Sequence, residues 1–410
     1  MCYIVSMKSK FFWIFVFLAV FMLAACAAGL VSPEESLGGG GSDRYHSESG
    51  GHASPSAGKL TCGEWSDIKN YPFYLNLFKR IDSWEVDEIQ RGNTFYRFRG
   101  HFGFQTLNMY TVNVISGGNP VSDAAVEVYD ANDTKFAAKT DARGNAYLFP
   151  YYDLINKTIT VKVTSGTYTE TQSFTCTQNN LQVTLAGHAA ARNVLDLMFV
   201  IDTTRSMGDE LEYLKSEISN VIGTVSQSNS GYTIRLALLF YRDLQDEYVT
   251  RYFDFTTDIA SQQIKLSQQS ANGGDDFPEA VDRALSEAVA KNWSADYATR
   301  LIFHVCDAPP HSSQTNKTLF FNSVRLAAQK GIRIIPVASS GIDYETEYLL
   351  RQEAIMTGGT YIFLTNDSGI GDNHIEPTVG DFTVEYLNAC MVRVINEYLT
   401  GIETAPVPYH

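Results

Sequence analysis

A chain of 410 residues with 44% hydrophobic and 19% charged side chains is long enough for two or three globular domains and too apolar to be disordered throughout. Its 31 basic against 46 acidic residues leave a formal charge of −15. That balance argues against nucleic-acid binding, which needs a basic face, and suits a cation or a basic partner. Six Cys in such a length are too few for a disulfide scaffold.

Lys8 and Lys10 precede an unbroken apolar run from Phe11 to Ala25. The run is short for a membrane span and has the length of a signal-peptide core. It ends in Leu23-Ala24-Ala25-Cys26, which resembles the bacterial lipobox. The resemblance implies a signal peptide over residues 1–25 and a mature N-terminus at Cys26 carrying fatty acyl chains such as palmitate. The protein is then anchored by lipid rather than spanning, outside the cytoplasm, at the outer membrane or cell surface. An ordinary secretory signal with an incidental Cys26 is the alternative. Residues 26–60, Gly/Ser-rich at Gly38 to Ser42 and Ser47 to Ser56, read as a flexible tether.

Residues 61–107 are dense in aromatics, from Trp65 and Tyr71 to Phe102 and Phe104. Such spacing reads as packing, with an exposed aromatic platform as the minor alternative. From residue 108 the period becomes two: Tyr110 to Ile115, Ala125 to Tyr129 and Ile159 to Val163 alternate, and Gly117-Gly118-Asn119-Pro120 and Asp141 to Gly144 supply turns. The pattern predicts an all-β sandwich over 108–186. Gly118 to Tyr129 followed by Thr140 to Ala146 resembles the carboxypeptidase-regulatory, or transthyretin-like, module, which implies a spacer or docking role without catalytic residues. Outside the cytoplasm Cys62 and Cys176 would be free to pair, and spacing alone does not assign that bond.

After Ala191 apolar runs alternate with helical patterns: Val194–Ile201, Glu210–Val225, Ile234–Phe240, Tyr252–Phe255, Ile259–Leu266, Ala280–Ala290, Leu301–Val305, Leu319–Ala328, Ile332–Val337, Tyr348–Met356, Tyr361–Leu364 and Val384–Leu399. Continuous apolar strands between amphipathic helices predict a doubly wound, Rossmann-like α/β fold with a mostly parallel sheet. The chain as a whole is then multidomain, with an N-terminal all-β sandwich. In open sheets of this kind ligands bind beyond the carboxyl ends of the strands.

The first strand of that part runs into Asp202-Thr203-Thr204-Arg205-Ser206. Asp202, Thr204 and Ser206 are hard oxygen donors at alternate positions of one loop, a set that suits Mg²⁺; Ser206 or Asp209 as a helix N-cap is the plainer reading. Gly273-Gly274-Asp275-Asp276-Phe277-Pro278-Glu279 precedes a helix, and Leu301 to Asp307 is another strand ending in Asp. Three acidic loops at one sheet edge repel unless a cation lies among them. These segments resemble the metal-ion-dependent adhesion site of von Willebrand factor A domains, over about residues 193–402. The resemblance implies Mg²⁺ or Mn²⁺ on Asp202, Thr204, Ser206 and Asp307. Asp276 to Glu279 is similar to the specificity loop in the A domains of integrin β chains, which implies Glu279 as a further ligand. It also implies adjacent sites, suited to Ca²⁺, at Asp209 and Glu210 and at Asp243 and Asp276, although acids are favoured in a first helical turn anyway. Arg205 stands where bacterial relatives often have Gly, either to attract an acidic ligand or pair with Asp209, or as a bystander.

His304 and His311 flank Asp307 without the spacing of a zinc site, and Cys306 and Cys390 read as buried small side chains. There is no phosphate loop, GxSxG or HExxH. The expected function is therefore non-enzymatic: metal-dependent adhesion to a protein presenting an acidic side chain. The alternative is an envelope scaffold or assembly factor whose metal is mainly structural.

Overall fold

The computed structural model describes residues 55–79, 95–130, 133–190, 193–295 and 297–410. The signal peptide, Cys26 and the tether up to residue 54 lie outside the described residues. Among the described residues no helix is long and apolar enough to cross a membrane.

The chain enters through strand β1 (Thr61–Trp65), helix α1 (Tyr71–Asn76) and a helical stretch at 95–102, α2. Residues 58–60 are already pinned. The buried carboxylate of Glu217 accepts the backbone N–H groups of Gly58, Lys59 and Leu60 at 2.8, 2.7 and 3.1 Å. The expected tether therefore ends short of residue 60.

Next come β2 (Tyr110–Ser116), β3 (Asn119–Pro120), β4 (Ala125–Asp130), β5 (Asp133–Lys139), β6 (Asn145–Leu148), β7 (Thr158–Ser165), β8 (Tyr168–Thr175) and β9 (Asn180–Leu185). They make two four-stranded sheets, one in the order β3-β2-β6 with β9 on β2, the other β5-β4-β7-β8. Burial alternates along β2 and β7, as a strand with one buried face requires. Val112, Val114, Val126, Val161 and Val183 fill the space beneath.

The α/β region follows with β10 (Val194–Asp202), α3 (Leu211–Ser228), β11 (Thr233–Tyr241), β12 (Thr250–Thr256), α4 (Ile259–Ser267), α5 (Val281–Ala290) and β13 (Thr299–Cys306). It continues with α6 (Gln314–Lys330), β14 (Ile332–Ala338), α7 (Tyr344–Thr357), β15 (Tyr361–Leu364), β16 (Glu385–Tyr386) and α8 (Leu387–Thr400). Local chemistry starts the helices: Ser313 accepts from Asn316 N ahead of α6 at 3.2 Å, and Asp343 from Thr346 N ahead of α7 at 2.7 Å. The eight-stranded sheet has the order β12-β11-β10-β13-β14-β15-β1-β16. Its inner pairs β11/β10, β10/β13, β13/β14 and β14/β15 are parallel. Its two faces bury separate apolar clusters, one under α5, α6 and α7, the other under α3 and α8. This is the doubly wound α/β architecture expected from the apolar runs.

Two expected boundaries do not hold. β1 pairs antiparallel with β15 on one side and β16 on the other, so residues 61–65 are an inner strand of the α/β sheet and that region does not begin at residue 193. The aromatic segment completes the same core: Phe95 packs edge-on against Tyr348 of α7 at 5.3 Å, and Tyr74 and Thr106 bond to Gln352. Nor does the β region hang free as a spacer. It shares one apolar cluster with α6 and α7, and Arg300 of β13 donates to both oxygens of Asp123 at 2.8 and 3.1 Å. All four described cysteines are free. Cys62 lies in the cluster beneath α3 and α8 and Cys176 in that of the β region, so the two do not pair.

Candidate metal site on the α/β sheet

β10 is buried over nearly its whole length. Its last residue, Asp202, delivers a carboxylate to the carboxyl edge of the sheet, and Thr204 leads into a 3-10 turn at Arg205–Asp209. Thr204 donates to Asp202 Oδ1 twice, from its backbone N at 2.8 Å and from Oγ1 at 2.6 Å. Thr204 Oγ1 also lies 3.1 Å from Ser206 Oγ. Asp202 and Thr204 are fully buried and Ser206 is exposed, so the donor set runs from the sheet to the solvent.

Two further loops close on this turn. The loop before α5 is tied to it by Arg205 N donating to Gly273 O at 3.2 Å and Asn272 N donating to Thr203 O at 3.0 Å. Gly274 has φ +68°, and a Cβ there would meet Glu279 Oε1 at 2.6 Å and Thr204 Cβ at 2.9 Å, so only glycine lets that backbone lie against the site. The loop after β13 is tied in by Glu279 N donating to Pro309 O at 3.0 Å, and it carries Asp307, the residue that follows the strand.

Asp202 Oδ2, Asp307 Oδ1 and Glu279 Oε2 are each buried without a hydrogen-bond partner. Orphaned buried carboxylate oxygens are costly. Burial first, and then mutual repulsion, raises the carboxyls of Asp202 and Glu279, the latter to about 10. Burial likewise raises Asp307. A divalent cation would relieve all three, and three carboxylates plus two hydroxyls are hard oxygen donors of the kind that Mg²⁺, Mn²⁺ or Ca²⁺ accepts. Among the described residues no group of three or more His, Cys, Asp or Glu side chains is placed to hold a metal by itself; the candidate set here depends on Thr204 and Ser206.

The expected auxiliary acids either have other partners or are exposed. Glu210 turns to the backbone N of Ser340, 3.3 Å from each oxygen, and pairs with His374 Nε2 at 3.3 Å. Asp209, exposed, is raised by partial burial and by neighbouring Glu210 and Asp372. Asp243 lies 2.6 Å from His311 Nε2, and Asp276 is exposed. His304 is sealed in the sheet, 2.8 Å from Glu353 Oε2. Arg205 is exposed beside Ser206.

The sequence reading passed over several residues around the site. Asp246 accepts from Asp243 N and Gly274 N, each at 3.0 Å, and so joins two of the loops. Asp282 is buried with neither carboxylate oxygen hydrogen-bonded, Oδ2 lying 3.6 Å from Arg283 Nε. Tyr241 ends β11 directly opposite Asp202. The rule of looking just beyond each strand reaches Tyr241 and Asp246; nothing in the sequence marks Asp282 as buried.

Residues 196–366 match the family model of the von Willebrand factor A domain. The chain carries a von Willebrand factor A domain. Its A domain is thus formed mainly by the part of the chain after the β region, with β1 added from before it. Among curated proteins, the alpha-protein kinase vwkA of Dictyostelium discoideum is 29% identical over 126 residues, 30% of this chain and 20% of that protein. An ariadne-like RING finger protein, R811, of Acanthamoeba polyphaga mimivirus is 23% identical over 228 residues, 51% of this chain and 21% of that protein. The chain thus spans about a fifth of the length of either relative. Among solved structures, BatB of Bacteroides thetaiotaomicron matches at 15% identity and a TM-score of 0.34, over 42% of this chain and 93% of that one. An aerotolerance-related membrane protein of Bacteroides fragilis matches at 12% identity and a TM-score of 0.33, over 51% and 100%.

Proposed function

We propose that the protein is a metal-dependent binding module of the cell envelope, without catalytic activity of its own, lipid-anchored through Cys26. The observation that carries this reading is the trio of buried, unpartnered carboxylate oxygens on Asp202, Glu279 and Asp307, set beside the hydroxyls of Thr204 and Ser206. Asp202, Thr204, Ser206 and Asp307 would hold Mg²⁺ or Mn²⁺, with Glu279 completing the set. A cation held by protein on one side leaves positions on the solvent side, where an acidic side chain of a partner protein would bind. The bound cation supplies the charge that such a carboxylate meets. Arg205, exposed at the rim, adds attraction for the same group. Asp209 with Glu210, and Asp243 with Asp276, would be the acids offered to additional Ca²⁺. His304 lies buried 2.8 Å from Glu353, and His311 lies 2.6 Å from Asp243.

A second reading, an envelope scaffold or assembly factor with a mainly structural metal, draws support from the apolar cluster that joins the β region to α6 and α7. A body of that kind can hold other proteins at fixed spacing. Pull-down from native envelopes in Mg²⁺ and in EDTA separates the two. Partners lost in EDTA at unchanged solubility favour metal-dependent binding; partners retained while the melting temperature falls favour the scaffold. Calorimetry showing equal Mg²⁺ affinity in wild type and Asp202→Ala would overturn the site.

A further inference from the structure

Behind the candidate ligands, the turn that carries them is held through one residue. Thr203 lies between Asp202 and Thr204 and is fully buried. Its backbone N and its hydroxyl each donate to Tyr241 O at 2.9 Å. That hydroxyl has its proton committed, so across the 2.8 Å to Tyr248 it is the Tyr248 hydroxyl that donates. Thr203 O accepts from Arg242 Nε at 3.2 Å and from Asn272 N at 3.0 Å. Arg242 follows β11, is almost wholly buried, and lies 4.5 Å from the centre of the Tyr248 ring. Its Nη2 donates to Ser270 O at 2.9 Å, and its own carbonyl accepts from Ala280 N at 3.4 Å. One residue thereby meets the turn of Asp202, Thr204 and Ser206, the loop leading towards Glu279, and the residue just after Glu279.

We propose that Arg242 and Tyr248 are positioning residues for the metal site: the guanidinium braces Thr203 O against Ser270 O, the phenol holds the Thr203 side chain, and together they fix the peptide planes from which Asp202 and Thr204 project. The proposal rests on the metal-binding reading given above. Its physical ground is that acidic loops repel one another without a cation. A site that keeps its shape before the cation arrives needs a restraint that does not use the ligand oxygens themselves. Arg242 supplies one. Its planar fork carries five N–H donors in fixed directions, and it donates to carbonyls, leaving Asp202 Oδ2, Glu279 Oε2 and Asp307 Oδ1 unpartnered. A guanidinium is costly to bury, and its acidic partner Glu247, 3.5 Å away, is a largely exposed side chain. What holds the buried end in place is the pair of carbonyl bonds. Outer partners that orient a metal's ligands typically alter affinity by about 10- to 100-fold when removed.

The test uses the full chain, with Mn²⁺ alone as the probe, titrated calorimetrically, and the melting temperature in EDTA recorded for each variant. Arg242→Lys keeps the charge, but a single ammonium cannot span both carbonyls; it should weaken Mn²⁺ binding by about 10-fold or more. Tyr248→Phe keeps the ring beside the guanidinium, loses only the hydroxyl, and should weaken binding by about 10-fold. Glu217→Ala is the control for stability alone: it releases the N–H groups of residues 58–60, should lower the melting temperature, and should leave Mn²⁺ affinity unchanged. If wild type binds Mn²⁺ and both site variants bind within twofold of it, the two residues are merely structural and the proposal is overturned, whatever happens to their melting temperatures. It is overturned equally if Glu217→Ala weakens Mn²⁺ as much as they do, since affinity then only follows stability. If wild type binds no Mn²⁺, the site reading fails and the brace with it. Should Arg242→Lys fail to fold, Tyr248→Phe decides the matter.

Discussion

Asp67 and Arg351 stand 284 residues apart in the chain and meet in the core, where Arg351 Nε donates to Asp67 Oδ2 at 2.9 Å. Arg351 is fully enclosed, and its Nη1 also donates to Thr378 O and Oγ1 at 2.6 and 2.9 Å. Removing Asp67 leaves the buried guanidinium with only Glu347, 3.5 Å away, as an acidic partner, at a cost of up to about 3–5 kcal/mol. Asp67→Ala should lose that much stability in urea titration. A loss under about 1 kcal/mol, the range of an exposed pair, would show the guanidinium hydrated.

The same pair decides how the chain can be cut. A protein beginning near residue 190 lacks β1, Asp67 and Tyr74, and exposes the β15 edge that β1 covers. It should be insoluble or lack near-ultraviolet circular dichroism, and a chain beginning at residue 53 should restore both properties. A shortened chain that unfolds cooperatively would contradict this.

Glu217 should act as the latch on the entering chain. Glu217→Ala strands the three N–H groups of residues 58–60 and should cost about 2–3 kcal/mol. Trypsin should then cleave after Lys59 faster than in wild type, read by mass spectrometry of the released N-terminal peptide. Unchanged cleavage would mean that β1 alone holds the segment.

The pH dependence follows from the raised carboxyls of Asp202, Glu279 and Asp307. A carboxyl raised by folding binds its proton more tightly in the native state. Its contribution is fully present below the unfolded value of about 4 and is lost as pH rises towards the folded value, which for Glu279 is about 10. In EDTA the melting temperature of wild type should therefore fall more steeply from about pH 5 to pH 8 than that of Asp202→Asn. Mg²⁺ should flatten the wild-type curve, since a cation replaces the protons. Parallel curves for the two proteins in EDTA would sink the claim that these acids strain the metal-free site.

Gly274→Ala places a Cβ 2.6 Å from Glu279 Oε1 at φ +68°. The left-handed backbone alone should cost more than about 1 kcal/mol, and the displaced Glu279 should weaken Mg²⁺. Calorimetry and thermal melting report the two effects separately; full affinity in a destabilised protein would place Glu279 outside the metal's shell.

The doubly wound sheet was legible in the sequence because its strands are buried on both faces and therefore appear as unbroken apolar runs such as Val194–Ile201. The loops of the site were legible because such sheets present whatever follows each strand, which marks Asp202, Thr204, Ser206 and Asp307; Glu279 was reached only through the resemblance to the specificity loop of integrin β chains. What only tertiary structure decided is long-range. The five residues of β1 alternate no differently from an isolated edge strand, and their place between β15 and β16 is set by backbone pairing some 300 positions away. Asp67, Glu217 and Glu353 look in sequence like ordinary surface acids. Their burial follows from partners, a guanidinium, three amides and an imidazole, that the fold brings from distant segments, and a charge enters a core only where such partners await it.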